Sequence, residues 1–100
     1  MKYLDDILEA CCIEFEVDSG EVKSKKLTRS LVRCRIAFSV IAKKKFDLSL
    51  NEIGNHINRG KSMIFAYLNQ QPEDGYYKMC FNKSFERVQK LFNGSSILKN

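Results

Sequence analysis

Hydrophobic residues recur at intervals of three and four along most of this chain, the spacing that predicts amphipathic helices. In the first segment the apolar positions are Leu4, Ile7, Leu8, Cys11, Cys12 and Phe15. The acidic residues Asp5, Asp6, Glu9 and Glu16 lie between them. We therefore predict a helix over residues 3–15 with an acidic outer face. The following Asp-Ser-Gly-Glu stretch, residues 18–21, ends it and predicts a short helical turn.

A second helical pattern runs from Thr28 to Lys44. One stripe consists of Leu31, Cys34, Ala37, Phe38 and Ile41, and further apolar residues stand at Val32, Ile36 and Val40. A helix that is apolar around most of its circumference lies at the centre of its domain. Arg29, Arg33 and Lys44 fall close together around the axis and are expected to form its exposed edge.

Two short helices joined by a tight turn are predicted next. Ser49 is a favourable N-cap, and Glu52 completes an S-x-x-E capping box. We expect Gly54 to let another helix approach closely, and the turn Asn58-Arg59-Gly60 to end this helix. The inward-facing residues are expected to be Leu50, Ile53 and Ile57 in the first helix and Ile64, Tyr67 and Leu68 in the second.

The second of these helices begins near Lys61 and is bounded by Pro72. A last helix over residues 73–92 is expected to bury Tyr77, Phe81, Phe85, Val88 and Leu91. No segment alternates with a period of two. The sequence therefore predicts an all-α fold of about six helices containing a helix-turn-helix. We assign residues 1–93 to a single helix-turn-helix domain and residues 94–100 to a flexible tail.

The charge of the chain is concentrated next to this helix pair. The net charge is +5, and residues 23–45 contain nine basic side chains and no acidic one. A glycine turn between short helices occurs in plain scaffolds, and a basic face can simply be solvated. Together, however, a basic cluster and a helix-turn-helix point to double-stranded DNA as the partner.

In a helix-turn-helix the first residues of the second helix reach base edges in the major groove. Here these residues are Lys61, Ser62 and Met63, of which Met63 suits a thymine methyl. Basic side chains elsewhere are expected to contact the phosphate backbone or the minor groove: Lys25, Lys26, Arg29, Arg33, Arg59, Lys43, Lys44 and Lys45.

Other classes of site find little support in the sequence. The four cysteines have neither disulfide-framework nor zinc spacing, and we expect buried free thiols in a reducing cytoplasm, bacterial or of a phage-infected host. We find no signal peptide, membrane span, metal ligand set or nucleophile–base pair. His56 is expected to be a surface or supporting residue. We therefore expect no enzyme, no cofactor, no metal and no membrane partner.

Nucleotide binding is also rejected. Gly60-Lys61-Ser62 matches the end of a P-loop, but Asn55 stands where that motif begins with glycine. No strand precedes it.

Three stretches resemble the C-terminal DNA-binding domain of the bacterial replication initiator DnaA. They are Ser24-Lys25-Lys26-Leu27-Thr28-Arg29, Leu31-Val32-Arg33-Cys34-Arg35-Ile36-Ala37 and Ser49-Leu50-Asn51-Glu52-Ile53-Gly54, and the resemblance spans roughly residues 5–92. It implies a Trp-repressor-like helix-turn-helix that reads an asymmetric duplex site.

The resemblance also implies roles for single residues. Arg35 matches a family arginine that contacts DNA, so we add it to the base-reading set. The minor-groove role would fall to Lys25 or Lys26, because Leu27 stands at the family's arginine position. The family's signature R-D-H-[ST]-T-V aligns with Arg59-Gly60-Lys61-Ser62-Met63-Ile64 if this chain has one residue fewer in the turn. DNA binding is thus implied more strongly than the family's target sequence.

The sequence leaves two hypotheses of different classes. The first is a stand-alone DnaA-like DNA-binding domain, a monomer that acts as an accessory or regulatory protein in replication or transcription and comes from a phage or mobile element. The alternative is a protein-interaction module, with a replication factor or an anti-initiator as partner, that has lost specific DNA binding. Structured RNA is a weaker third candidate.

Overall fold

The computed structural model describes residues 2–92, and the tail predicted at residues 94–100 lies outside them. The described residues form six α-helices and no strand, which confirms the all-α prediction. The helices are α1 (Lys2–Phe15), α2 (Ser19–Val22), α3 (Arg29–Phe46), α4 (Leu50–His56), α5 (Lys61–Asn69) and α6 (Gly75–Phe92).

The boundaries of α3 follow from local chemistry at each end. The Thr28 hydroxyl accepts a hydrogen bond from the Leu31 backbone N–H at 3.3 Å, which satisfies one of the donors left open in the first turn. At the other end Asp47 adopts a left-handed conformation, φ 53°, and its N–H returns to the carbonyls of Ala42 and Lys43. The helix therefore continues two residues beyond the predicted end at Lys44.

A complete capping box starts α4, as predicted. The Ser49 hydroxyl accepts from the Glu52 N–H at 3.1 Å, and the Glu52 carboxylate accepts from the Ser49 N–H at 3.0 Å. These two bonds fix the first turn of a helix of only seven residues.

Replacing Ser49 by alanine is expected to lower the free energy of unfolding by about 1 kcal/mol, the usual effect of losing an N-cap side chain. Urea unfolding measures it. Ser62→Ala is the matched control, because Ser62 is exposed and its hydroxyl takes part in no hydrogen bond among residues 2–92. Equal stability of the two variants would show that the capping box does not stabilise α4.

The last helix begins two residues later than predicted. The Asp74 carboxylate accepts from the Tyr77 N–H at 3.0 Å, as a capping side chain does, so regular helix starts at Gly75 rather than Glu73. At the far end Phe92 is buried and Leu91 is 58% exposed, so the prediction that Leu91 faces the core is wrong. The buried stripe continues from Val88 by four residues, not three.

Phe92 completes an aromatic cluster at this end of the molecule. Its ring lies 5.7 Å from that of Tyr3 and 5.3 Å from that of Phe46, in edge-on arrangements at both contacts. Phe81 and Phe85 are half-buried against the core. Burial of Tyr77 and Val88 is confirmed.

The central position of α3 is confirmed, because α1, α4, α5 and α6 all pack against it.

The four cysteines are free thiols and all are buried, as predicted. Burial raises the pKa of the Cys11 thiol, which keeps it protonated at neutral pH. None of the helices within residues 2–92 is long and apolar enough to cross a membrane.

Candidate nucleic-acid interface

The turn between α4 and α5 depends on a close backbone approach at Gly54. The Gly54 carbonyl accepts from the Ile57 N–H at 3.1 Å and from the Arg59 N–H at 2.8 Å. A β-carbon at Gly54 would lie 2.2 Å from the Arg59 carbonyl oxygen. The nearest neighbour is thus the backbone of the turn, and the Ile64 side chain of α5 follows at 3.4 Å, so the predicted approach of another helix is also present. Asn58 makes the reversal in a left-handed conformation, φ 58°.

This turn sets the start of α5, where the predicted base-reading residues lie. Lys61, Ser62 and Met63 are all exposed, and the helix is anchored on its inner side by Ile64 and Tyr67, which are buried. Four of the six predicted inner positions are buried, namely Ile53, Ile57, Ile64 and Tyr67, and the other two, Leu50 and Leu68, are half-buried. The expected inward faces of both helices are therefore confirmed.

Sequence reasoning missed Phe65, which is 61% exposed on the same helix. At about 100° per residue, Phe65 lies near Lys61 and Ser62 around the axis, whereas Met63 falls about 160° away from Phe65. The outward face of α5 therefore carries Lys61, Ser62 and Phe65, with Met63 at its far edge. The helical period applied to one further turn would have found this residue.

Two arginines, Arg35 of α3 and Arg59 of the turn, converge on one carbonyl of the basic loop, residues 23–28. Ser24 accepts from Arg35 Nη2 at 3.1 Å and from Arg59 Nη2 at 2.8 Å. The Asn58 amide also donates to the Lys23 carbonyl at 3.2 Å. Two hydrogen bonds thus join the loop to the helix-turn-helix, although 35 residues separate the bonded positions.

The structure places Arg35 inside the fold, which argues against the predicted base contact. Its side chain is fully buried, and it also donates to the carbonyls of Val22 at 2.8 Å and Glu21 at 3.2 Å. Burial, and then the nearby charge of Arg59, lower the pKa of Arg35 from its ordinary value. A guanidinium has a fork of donors suited to bridging several carbonyls, so Arg35 positions the loop from inside.

Arg59 has a similar supporting geometry. Besides Ser24, its guanidinium donates to the carbonyls of Ile57 and Asn58, at 3.3 and 3.2 Å. The side chain is half-buried. Its contact with a DNA phosphate stays a prediction, and its observed contacts join the turn to the loop.

The remaining basic residues divide into paired and unpaired side chains. Lys26 pairs with Glu21 at 2.7 Å, Lys43 pairs with Asp47 at 3.3 Å, and Arg33 pairs with Asp74. Lys45 lies over the Phe85 ring, 4.9 Å from its centroid. Among the predicted DNA-contacting residues, the exposed side chains with no ion pair within residues 2–92 are Lys25, Arg29, Lys44 and Lys61. Surface pairs are weak, so Lys26 and Lys43 can exchange a carboxylate for a phosphate.

The structure separates the predicted phosphate-contacting residues into two groups. Lys25, Lys26 and Arg29 lie at the N-terminal end of α3, beside the turn. The run 43–45 lies at its C-terminal end, about 24 Å away from Arg29 along the axis at 1.5 Å per residue. The sequence cluster is therefore spread along α3, and its first part is the one that follows the loop bonded to the turn.

His56 supports the fold at the end of α4. Its ring stacks on Phe38 with centroids 5.8 Å apart, and Nε2 lies 3.0 Å from Asp5 Oδ1. Burial lowers the pKa of His56. Within residues 2–92 the His, Cys, Asp and Glu side chains form no group of three that could hold a metal ion.

Comparison with known proteins identifies this arrangement. The family described as "Bacterial dnaA protein helix-turn-helix" matches residues 4–70, from α1 to just past α5. The chain belongs to this family. Domains of the DnaA family bind double-stranded DNA. The resemblance predicted from the sequence extended to about residue 92, whereas the family match ends at residue 70. Helix α6 therefore lies outside the matched range, although it packs against α1 and α3.

One curated relative is the chromosomal replication initiator protein DnaA of Oleidesulfovibrio alaskensis, 34% identical over 61 residues. The aligned residues make up 61% of this chain and 13% of that initiator. This chain therefore matches a small part of its DnaA relative. No solved structure matches the chain.

Proposed function

We propose that this chain binds double-stranded DNA with a sequence preference, placing α5 in the major groove and the basic loop, residues 23–28, on the adjacent backbone. The observation that carries the proposal is the Ser24 carbonyl, which Arg35 and Arg59 both bind. The Arg59 bond connects the loop to the turn, and the Arg35 bond connects it to α3. We therefore infer that Lys25, next to Ser24, and Lys61, just after the turn, approach the same duplex. Family membership supports the same partner.

In the proposed mechanism, different residues supply the affinity for DNA and the preference for a sequence. Lys25, Lys26 and Arg29 would supply sequence-independent attraction to phosphates, which fixes the register of the domain on the duplex. Lys61 and Ser62 would form hydrogen bonds with base edges. One helix-turn-helix suits a monomer on a non-palindromic site. The role is binding alone, and no catalytic step is proposed.

We further propose that the biological role is regulatory, as an accessory protein that occupies sites related to those of the replication initiator. The support is the similarity to the DnaA of Oleidesulfovibrio alaskensis over 61 residues. Footprinting of origin DNA with both proteins tests it. Displacement of the initiator from its sites is the expected result, and independent footprints would contradict competition.

The experiment that tests DNA binding is a selection on random duplex DNA, followed by titration of the selected duplex at two salt concentrations. For the three phosphate contacts of Lys25, Lys26 and Arg29, affinity should fall about fortyfold between about 50 and about 200 mM salt. Lys61→Ala should cost about 1–3 kcal/mol if Lys61 contacts a base, and relax the preference at that position.

The matched control is Lys83→Ala, because Lys83 is an exposed lysine on α6, outside the helix-turn-helix. Its affinity, salt dependence and preferred sequence should equal those of the unmodified chain. Selection without enrichment, together with binding that ignores salt, would reject the DNA-binding proposal. It would favour the alternative of a protein-interaction module.

A further inference from the structure

Phe65 has the most exposed aromatic ring in the described part of the chain, with 61% of the residue accessible to solvent. It takes part in none of the aromatic pairs found within residues 2–92. Single exposed apolar residues are common on protein surfaces and need no explanation by themselves. What distinguishes Phe65 is its place on the outward face of α5, the helix proposed to enter the groove.

The surroundings of Phe65 offer few other groups for reading DNA. Lys61 and Ser62 stand on the same face in the preceding turn. In the following turn, the Asn69 amide donates to the Phe65 carbonyl at 2.9 Å and is therefore bound to its own helix. Ala66 contributes only a methyl group. Beyond its first turn, the outward face of α5 thus carries Phe65, Ala66 and one amide whose nitrogen is bound to the helix backbone.

Thymine is the base that presents an apolar group in the major groove, its C5 methyl, and phenylalanine is a side chain known to contact it. Resting on the proposed DNA binding, we propose that Phe65 is a specificity-determining residue that packs against a thymine methyl. One helical turn of about 5.4 Å corresponds to roughly one and a half base steps of 3.4 Å. The preferred thymine therefore lies one or two base pairs from the base contacted by Lys61.

The inference assigns a different reading mode to each turn of α5. The first turn forms hydrogen bonds through Lys61 and Ser62, and the second selects thymine by shape and hydrophobic contact. Met63 is 45% exposed but lies at the other edge of the helix, so it is not expected to share the methyl that Phe65 contacts.

Substitution of uracil for thymine isolates the proposed contact, because it removes the C5 methyl and leaves the base-pair hydrogen bonds intact. Each thymine of the selected duplex is replaced in turn, and dissociation constants are measured by fluorescence anisotropy. At one position uracil should weaken binding about fourfold, the value expected for one buried methyl group. Phe65→Ala should bind the thymine and uracil duplexes equally.

Leu91→Ala is the matched control, because Leu91 is 58% exposed on α6 and lies beside α1, away from α5. This variant should keep the full thymine preference. Circular dichroism checks that Phe65→Ala retains its helices, which its exposure predicts.

Three outcomes overturn the inference in distinguishable ways. If Phe65→Ala keeps the thymine preference of the unmodified chain, the ring does not read the methyl. If Met63→Ala abolishes the preference instead, the methyl is read from the other edge of α5. If the unmodified chain binds no duplex, the proposed function itself fails, and this inference fails with it.

Discussion

Replacing Arg35 by methionine is expected to lower the free energy of unfolding by about 3 kcal/mol and to weaken DNA binding at least about tenfold. The buried guanidinium donates to the carbonyls of Glu21, Val22 and Ser24. Methionine fills similar space but donates nothing. These carbonyls must then either remain unsatisfied or move into water. Movement into water detaches α2 and the start of the basic loop from α3, and leaves the loop held only by its bonds to Asn58 and Arg59.

Urea unfolding and DNA titration separate the two consequences. If the loop moves, the stability loss shrinks while the affinity loss remains, because Lys25 and Lys26 are no longer held beside α5. Arg35→Lys should recover only part of the stability. Its ammonium can donate hydrogen bonds, but it cannot span three carbonyls as a guanidinium does.

Arg29→Met is the control for stability. Arg29 is exposed in the first turn of α3, where a positive charge opposes the helix dipole, so its removal should not destabilise the fold. Its DNA affinity should still fall. If Arg35→Met were as stable as Arg29→Met and bound DNA normally, the buried arginine would have no role in positioning the loop.

The second large effect is expected at Gly54. Replacing it by alanine should lower the free energy of unfolding by about 2–3 kcal/mol, because the added β-carbon would lie far inside contact distance of the Arg59 carbonyl oxygen. Helix propensity alone predicts the opposite, a gain of roughly 0.5–1 kcal/mol for alanine in a helix. The sign of the change therefore reports directly on the close approach.

Gly75→Ala provides the comparison. Gly75 is the first residue of α6, and a β-carbon there meets nothing within 4 Å. Alanine should be neutral or stabilise by about 0.4–1 kcal/mol through the unfolded state. Thermal or urea unfolding of both variants measures the difference, and DNA titration should show weaker binding for Gly54→Ala only. Two equally stable variants would contradict the observed turn geometry.

The helices and their inward faces could be predicted because they depend on neighbours only a few residues apart. The capping bonds between Ser49 and Glu52 join positions three apart in sequence. The apolar stripe of α3 repeats at the helical period, and its burial follows directly. The exposure of Lys61 and Ser62 follows in the same way, from a start of α5 set by the turn at Gly60.

The sequence by itself therefore determined the all-α fold, the helix-turn-helix and the family, through local spacing and a family resemblance, and its charge indicated double-stranded DNA as the partner. Only the tertiary structure decided which basic residues face outward. Arg35 and Lys25 are both basic, so residue type alone does not show which of them is buried. The burial of Arg35 depends on carbonyls 11 to 14 residues away in sequence. The same holds for the junction of Ser24 with Arg59, since contacts between distant segments arise from packing and leave no periodic signal in the chain.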